Sequence, residues 1–229
     1  YGTNGGYSKK NLQPCTIQTK SGDDIAVAHN GEFVAMDAYF KNHKLPIPKN
    51  VSDTYLFTYL LSIAKGASWK EKVLSTLDKV TGAYSVVIGI NNDVFIARDP
   101  NGIRPLIIGK MKGQWMIASE THAFDKVGAK VIREVKRGEV LYFHNGNMTV
   151  IRHGEKKKKH FCDFEWAYFS RPDSLLPPNG EGDRPQDWLL VSRFRENCGK
   201  ELAKKLRIKN ATFAVGVPDS GVPFTMGYA

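Results

Sequence analysis

Six short apolar segments follow one another between residues 83 and 152: AYSVVIGI, DVFIA, LIIGK, QWMIAS, EVLYF and MTVIR. Turn signals NN, DPNG, KG, RG and NGN stand among them. Gly, Asn, Asp and Pro accept the backbone angles of a tight reversal, so this stretch reads as a run of mostly antiparallel strands. AYSVVIGI is apolar at nearly every position, which fits burial between layers rather than a face turned to water. Upstream the period is different. An apolar stretch from Asp24 to Asn30 reads as a strand that stops at the turn-forming pair Asn30-Gly31. Met36 to Lys44 reads as a short helix ending before Pro46 and Pro48. Ser52 stands where an N-cap belongs, and Leu56, Tyr59, Leu60 and Ile63 recur at helical spacing until Gly66. A third helix over about Trp69 to Val80 carries Val73, Leu74 and Leu77 on one face. Helices placed early and strands placed late predict an α+β sandwich of sheets covered by helices.

At 229 residues and 41% hydrophobic content the chain has enough apolar surface for a packed core. No run of eighteen apolar residues occurs, and the opening YGTNGGYSKK has neither a signal core nor an amphipathic Arg-rich presequence, so no membrane role is expected. The start at Tyr1 and the end in FTMGYA read as cuts in a longer chain. Cys15, Cys162 and Cys198 form no CxxC pair and no disulfide framework, which makes a reducing, cytoplasmic setting the expectation. The net charge of +10 sits partly in Lys156 to Lys159 and partly between Arg193 and Lys209. A lysine run without interleaved aromatics reads as a solvated linker, and no nucleic-acid partner is expected. A positive field equally suits a phosphorylated small substrate.

The chemistry-bearing residues are read in two ways. Asn30-Gly31 is either a plain turn or a pair able to aim a side-chain amide and a backbone N–H at one oxyanion. Asp53 is either a first-turn carboxylate favoured by the helix dipole or an anion for a ligand ammonium. Cys15 follows Pro14 and has no base nearby in sequence, so it reads as an inert thiol; His29 and His122 read as structural. Arg98, Asp99, Asn101 and Arg104 flank DPNG, which reads as a tight turn with an Asx-type hydrogen bond rather than a substrate clamp. Asp163 to Ser174 is rich in aromatics, Pro177 to Pro185 is a Pro/Gly-rich loop, and Trp188 to Leu206 is a long helix candidate. TFAVGVPDSG then reads as strand, tight turn and opening helix.

YGTNGG, NLQP, AHNGE, SDTYLF, GAYSVVIG, ARDPNGIRPL and ASET, in that order, resemble the N-terminal-nucleophile glutamine amidotransferases, and within them the purine-pathway members. The resemblance implies a four-layer αββα sandwich over residues 1–153, a linker and cluster-ligand segment over 154–185, and the start of an α/β phosphoribosyltransferase domain over 186–229. It places Asn30 and Gly31 on the oxyanion pair, Thr3 near the glutamine carboxylate and Asp53 on the glutamine ammonium. The family's nucleophile is a Cys at the mature N-terminus, preceding the segment that Tyr1 opens, and an Arg precedes the matching Tyr; neither is in this chain. HFCDFEWAYFSRPDS resembles the segment of members that carry a [4Fe-4S] cluster, with Cys162 on the first of four ligand positions; by residue type alone Cys162 is a single thiol. VGVPDSG resembles the loop that opens the phosphoribosyltransferase fold, with Ser220 near Mg2+; read alone it is either an ordinary strand-to-helix turn or one whose exposed backbone N–H suits a phosphate.

The function so implied is a glutamine-dependent conversion of phosphoribosylpyrophosphate to 5-phosphoribosylamine at the entry to purine synthesis. Purine nucleotides are the expected feedback inhibitors and a homo-oligomer the expected assembly. Residues 1–229 alone are expected to shape a glutamine pocket without turnover. The alternative is a catalytically dead regulatory or binding protein descended from the enzyme.

Overall fold

Antiparallel pairing organises most of the chain. In the computed structural model, which describes residues 8–154, 160, 162–178, 185–206, 208 and 210–229, two compact units share the sequence discontinuously. One comprises Tyr1–Arg104 with Val135–His160, the other Pro105–Glu134 with Phe161–Ala229.

The first unit is built on a six-stranded antiparallel sheet in the order β1-β2-β3-β4-β8-β9. Its strands are β1 Cys15–Gln18, β2 Asp24–Val34, β3 Thr81–Ile90, β4 Asp93–Arg98, β8 Val140–His144 and β9 Asn147–Arg152. Three helices join them: α1 Met36–Asn42, α2 Asp53–Ser62 and α3 Trp69–Leu77. Ser52 caps α2 through Tyr55 N–H at 3.2 Å, and Ser68 caps α3 through Glu71 N–H at 3.3 Å. Each hydroxyl satisfies one of the orphan donors of a first turn. The helices bury Phe40, Phe57, Leu61 and Val73 against Ile25, Val27, Val86 and Ile88 of the sheet. In β3 the positions Tyr84, Val86, Ile88 and Ile90 lie in this core, while Val87 and Gly89 on the alternate positions are half-buried. The expected two-sided burial is therefore complete on the helix-covered face and partial on the other.

One expectation is corrected here. β2 does not stop at Asn30-Gly31 but pairs with β3 through Val34, with Asn30 opposite Ser85 and Gly31 opposite Tyr84; the chain reverses at Ala35, whose φ is 59°. The strand survives because both it and its partner carry a glycine at large positive φ, 134° at Gly31 and 144° at Gly82. A Cβ on Gly31 would stand 1.9 Å from the Ala83 carbonyl oxygen, and one on Gly82 2.0 Å from that of Glu32. The pair thus serves a close backbone approach within a ladder, not a turn.

The second unit holds a three-stranded antiparallel sheet, β6-β5-β7, from Gln114–Ala118, Ile107–Met111 and Lys130–Glu134. Helix α4, His122–Val127, packs on it through Phe124, with Ile107 and Trp188 completing a small core. A two-residue ladder pairs β10 Leu175–Leu176 with β11 Leu189–Leu190, and helices α5 Val191–Lys205 and α6 Gly221–Tyr228 follow. The expected strand in TFAVGVPDSG is absent: residues 211–217 are irregular and lead through a turn into α6. Phe213, Val215 and Val217 are 81%, 78% and 79% exposed, so among the described residues no neighbouring strand covers them, and an unpaired apolar run has nothing to hold it extended. Both units are α+β with antiparallel sheets. No described helix is long and apolar enough to cross a membrane. Lys156 to Lys159 and the centre of the Pro/Gly-rich loop lie outside the described residues.

Candidate functional site

β2 places His29 and Asn30 side by side in the first unit, and strand alternation gives them different neighbours. His29 faces α2. Its ring stacks on Phe33 with centroids 4.2 Å apart, Nδ1 lies 3.1 Å from Thr54 Oγ1, and its side chain is 1% exposed. Asp53, at the start of α2, accepts Phe33 N–H on Oδ2 at 2.8 Å and Thr54 N–H on Oδ1 at 2.8 Å. Its Oδ2 is 3.8 Å from His29 Nδ1, a distance that would make an ion pair only with a protonated ring. Burial pushes the His29 pKa down to about 4, the Arg104 charge acting in the same direction and Asp53 against it. Near neutral pH the ring is uncharged, and the contact with Asp53 is polar rather than ionic. His29 Nε2 has no hydrogen-bond partner among the described residues. The reading of His29 as a structural residue fits this packing.

Asn30 meets a different set. The strand register lines it up with Ser85 on β3 and Ser85 with Arg98 on β4, so the three form one row across the sheet. The DPNGIRPL segment is built against this row. Asp99 is fully buried and accepts backbone N–H groups from Asn101 at 2.9 Å and Ile103 at 2.9 Å, with longer contacts from Tyr84 and Arg104 at 3.3 Å. The bond from Asn101 is the Asx turn expected from the sequence. Arg98 is 4% exposed and donates to the carbonyls of Arg104, Val135 and Gly102, each at 2.8 Å. Ser85 Oγ also donates to the Arg104 carbonyl, at 3.2 Å. From that fixed backbone the Arg104 guanidinium reaches back and donates Nη2–H to Asn30 Oδ1 at 2.6 Å. Reading this segment only as a turn missed that contact, because cross-strand register is invisible to a local motif.

The candidates therefore fall into three groups. Asn30, Gly31 and Asp53 lie in one unit, Asn30 being the immediate neighbour of the histidine that Asp53 approaches. Thr3 lies outside the described residues. Cys162 and Ser220 belong to the second unit. Cys162 is half-buried, and Ser220 precedes α6 without a side-chain capping bond. Among the described residues no three His, Cys, Asp or Glu side chains gather closely enough to hold a metal ion. One thiol cannot supply the four that an iron–sulfur cluster takes, nor one hydroxyl the oxygen shell of Mg2+, so the residues present do not by themselves fit either group. Cys15 is buried, with its thiol turned to the Lys10 carbonyl at 3.4 Å and its pKa raised by that burial, as an inert thiol should be.

Residues 7–126 match the family model described as a glutamine amidotransferase domain. The whole chain aligns with the amidophosphoribosyltransferases of Bacillus subtilis (strain 168) at 34% identity and of Synechocystis sp. at 33%, covering 46% of each. Two solved structures resemble it. One is glutamine phosphoribosylpyrophosphate amidotransferase from B. subtilis complexed with ADP and GMP, at a TM-score of 0.81 and 33% identity, over 96% of this chain and 47% of that one. The other is described as the allosteric regulatory enzyme of purine biosynthesis, at a TM-score of 0.82 and 33% identity, over 98% and 46%. The chain thus spans about half the length of the curated relatives it matches.

Proposed function

The chain belongs to the family of glutamine amidotransferase domains, and from that premise we propose that it is the glutamine-hydrolysing part, with the opening of the second part, of an amidophosphoribosyltransferase. The observation that carries the reading is the Asn30-Gly31 pair itself: an amide whose oxygen is already engaged by Arg104, followed by a backbone that only glycine can adopt. Asn30 Nδ2–H and Gly31 N–H would donate to the carbonyl oxygen of the glutamine side-chain amide. When a nucleophile adds to the carbonyl carbon, the π pair moves onto that oxygen, and the two donors stabilise the charge. Asp53 would hold the substrate's α-ammonium, and Thr3 would lie at its α-carboxylate. Ammonia then leaves, water releases glutamate, and the ammonia displaces pyrophosphate from phosphoribosylpyrophosphate.

No nucleophilic Cys stands at the matching place in residues 1–229, so this stretch alone is proposed to hold glutamine without hydrolysing it. The sandwich over 1–153, the phosphoribosyltransferase start at 186, the cluster ligand Cys162 and the magnesium-side Ser220 belong to the same proposal. The last two need groups supplied from elsewhere in the protein. Purine nucleotides are proposed as feedback ligands, supported by the ADP and GMP of the B. subtilis relative. A homo-oligomer in the cytoplasm completes the reading.

The test gives the full-length protein glutamine and phosphoribosylpyrophosphate and measures glutamate and pyrophosphate together. Equal release of both is expected. Glutamate without pyrophosphate would assign the chain to another amidotransferase, and neither product would favour the regulatory or binding protein.

A further inference from the structure

We propose that Arg104 is a positioning residue for the oxyanion donor, fixing which end of the Asn30 amide faces the substrate; the inference rests on the glutaminase reading of Asn30. An asparagine amide has two ends of similar size and opposite hydrogen-bonding sense, and a free side chain can present either. A guanidinium has only donors. With Nη2 2.6 Å from Asn30 Oδ1, Arg104 can hold only the oxygen end, so Nδ2 is the end turned away from it. The bond is short and charge-assisted, so it also draws electron density from the amide and makes Nδ2–H a better donor.

The arrangement is over-determined by the fold. Asn30, Ser85 and Arg98 are successive members of one cross-strand row. The second and third members both donate to the Arg104 carbonyl, at 3.2 and 2.8 Å, while the Arg104 side chain returns to the first. The backbone of Arg104 is further tied through its N–H to the fully buried Asp99. A turn stabilised for its own sake would need only the Asp99 and Arg98 contacts. The guanidinium bond to Asn30 lies outside that set of turn contacts and falls on the amide.

The experiment is a double-mutant cycle on glutamine hydrolysis by the full-length protein, with Asn30→Ala, Arg104→Met, the double variant and Arg104→Lys. Asn30→Ala is expected to lower kcat by about a hundredfold or more, as loss of one oxyanion donor does. Arg104→Met is expected to lower kcat by roughly tenfold to a hundredfold with KM for glutamine little changed, because orientation is used in the transition state and not in ground-state binding. The double variant should match Asn30→Ala, since without the amide there is nothing to orient. Arg104→Lys, which keeps a cationic donor, should recover most of the rate and covers the case in which the methionine variant fails to fold. Wild-type kcat in Arg104→Met, losses that multiply in the double variant, or a lysine variant as slow as folded Arg104→Met would each overturn the proposal. Should Asn30→Ala itself keep wild-type kcat, the oxyanion reading falls and this inference with it, and that single variant separates the two failures.

Discussion

His29 is a buried imidazole beside a carboxylate, and its contribution to stability has a definite direction. Its pKa falls from an ordinary 6.5 to about 4 on folding, chiefly through burial. Between those values the unfolded chain binds a proton that the folded chain does not, so stability rises with pH across the window. The contribution is fully present above about pH 6.5 and is lost as the pH falls toward 4, a difference on the order of 3 kcal/mol. Urea unfolding at several pH values should show this slope, and His29→Gln should flatten it; an equally steep slope in the variant would place the titration elsewhere. Asp99 makes a second prediction. Its carboxylate accepts several backbone N–H groups with no exposure to water, so Asp99→Ala should cost ~3 kcal/mol or more by leaving buried donors unpaired, measurable as a lowered urea midpoint. At this scale the sequence was legible where chemistry is local: the Ser52 cap and the Asp99 Asx turn both stand where spacing put them. Arg104 was not, because its partner lies 74 residues away and is chosen by strand register.

Elements followed the same division. Strands β3 to β6, β8 and β9 and helices α2 and α3 were legible from periodicity and caps, whereas β7, β10 and β11 were not. The extension of β2 through Asn30-Gly31 was not, because a glycine after asparagine signals a turn, and the second glycine that lets the ladder close, Gly82, lies on the partner strand two positions from the residue opposite Gly31. That pairing makes Gly31→Ala a sharp test: its Cβ would meet the Ala83 carbonyl oxygen at 1.9 Å, and the substitution should destabilise the first unit by ~3 kcal/mol or more. An unchanged thermal midpoint would contradict the geometry. Helices α5 and α6 approach each other through a comparable device. A Cβ on Gly199 would lie 2.0 Å from the Phe224 carbonyl oxygen and one on Gly227 1.9 Å from that of Glu196. Gly227→Ala should therefore loosen this pair, read as faster amide exchange in α6 with α2 unaffected. The run 213–217 shows the limit of pattern reading: apolar β-branched composition names a strand, but only a partner makes one.

For the molecule as a whole, the family resemblance, with a lysine run and a Pro/Gly-rich loop beside its limits, implied boundaries near residues 153 and 185, whereas compactness divides the chain at 104, 134 and 160. The two follow different physics. Linker composition marks where the chain is solvated, while compactness records that β4 pairs with β8 across the excursion of residues 105–134. That long-range pairing leaves no local trace in the sequence. The account of function turns on Asp53, whose carboxylate is tied to Phe33 and Thr54 and is proposed to receive the ammonium of glutamine. Asp53→Asn removes the charge and keeps one of the two oxygens that accept backbone N–H groups. In the full-length protein, glutamate release against glutamine concentration should then show KM raised by roughly a hundredfold, as expected for a lost charge partner, with kcat within a few-fold of the unsubstituted protein. An unchanged KM would contradict the placement of the glutamine ammonium at Asp53, and with it the site proposed for this fold.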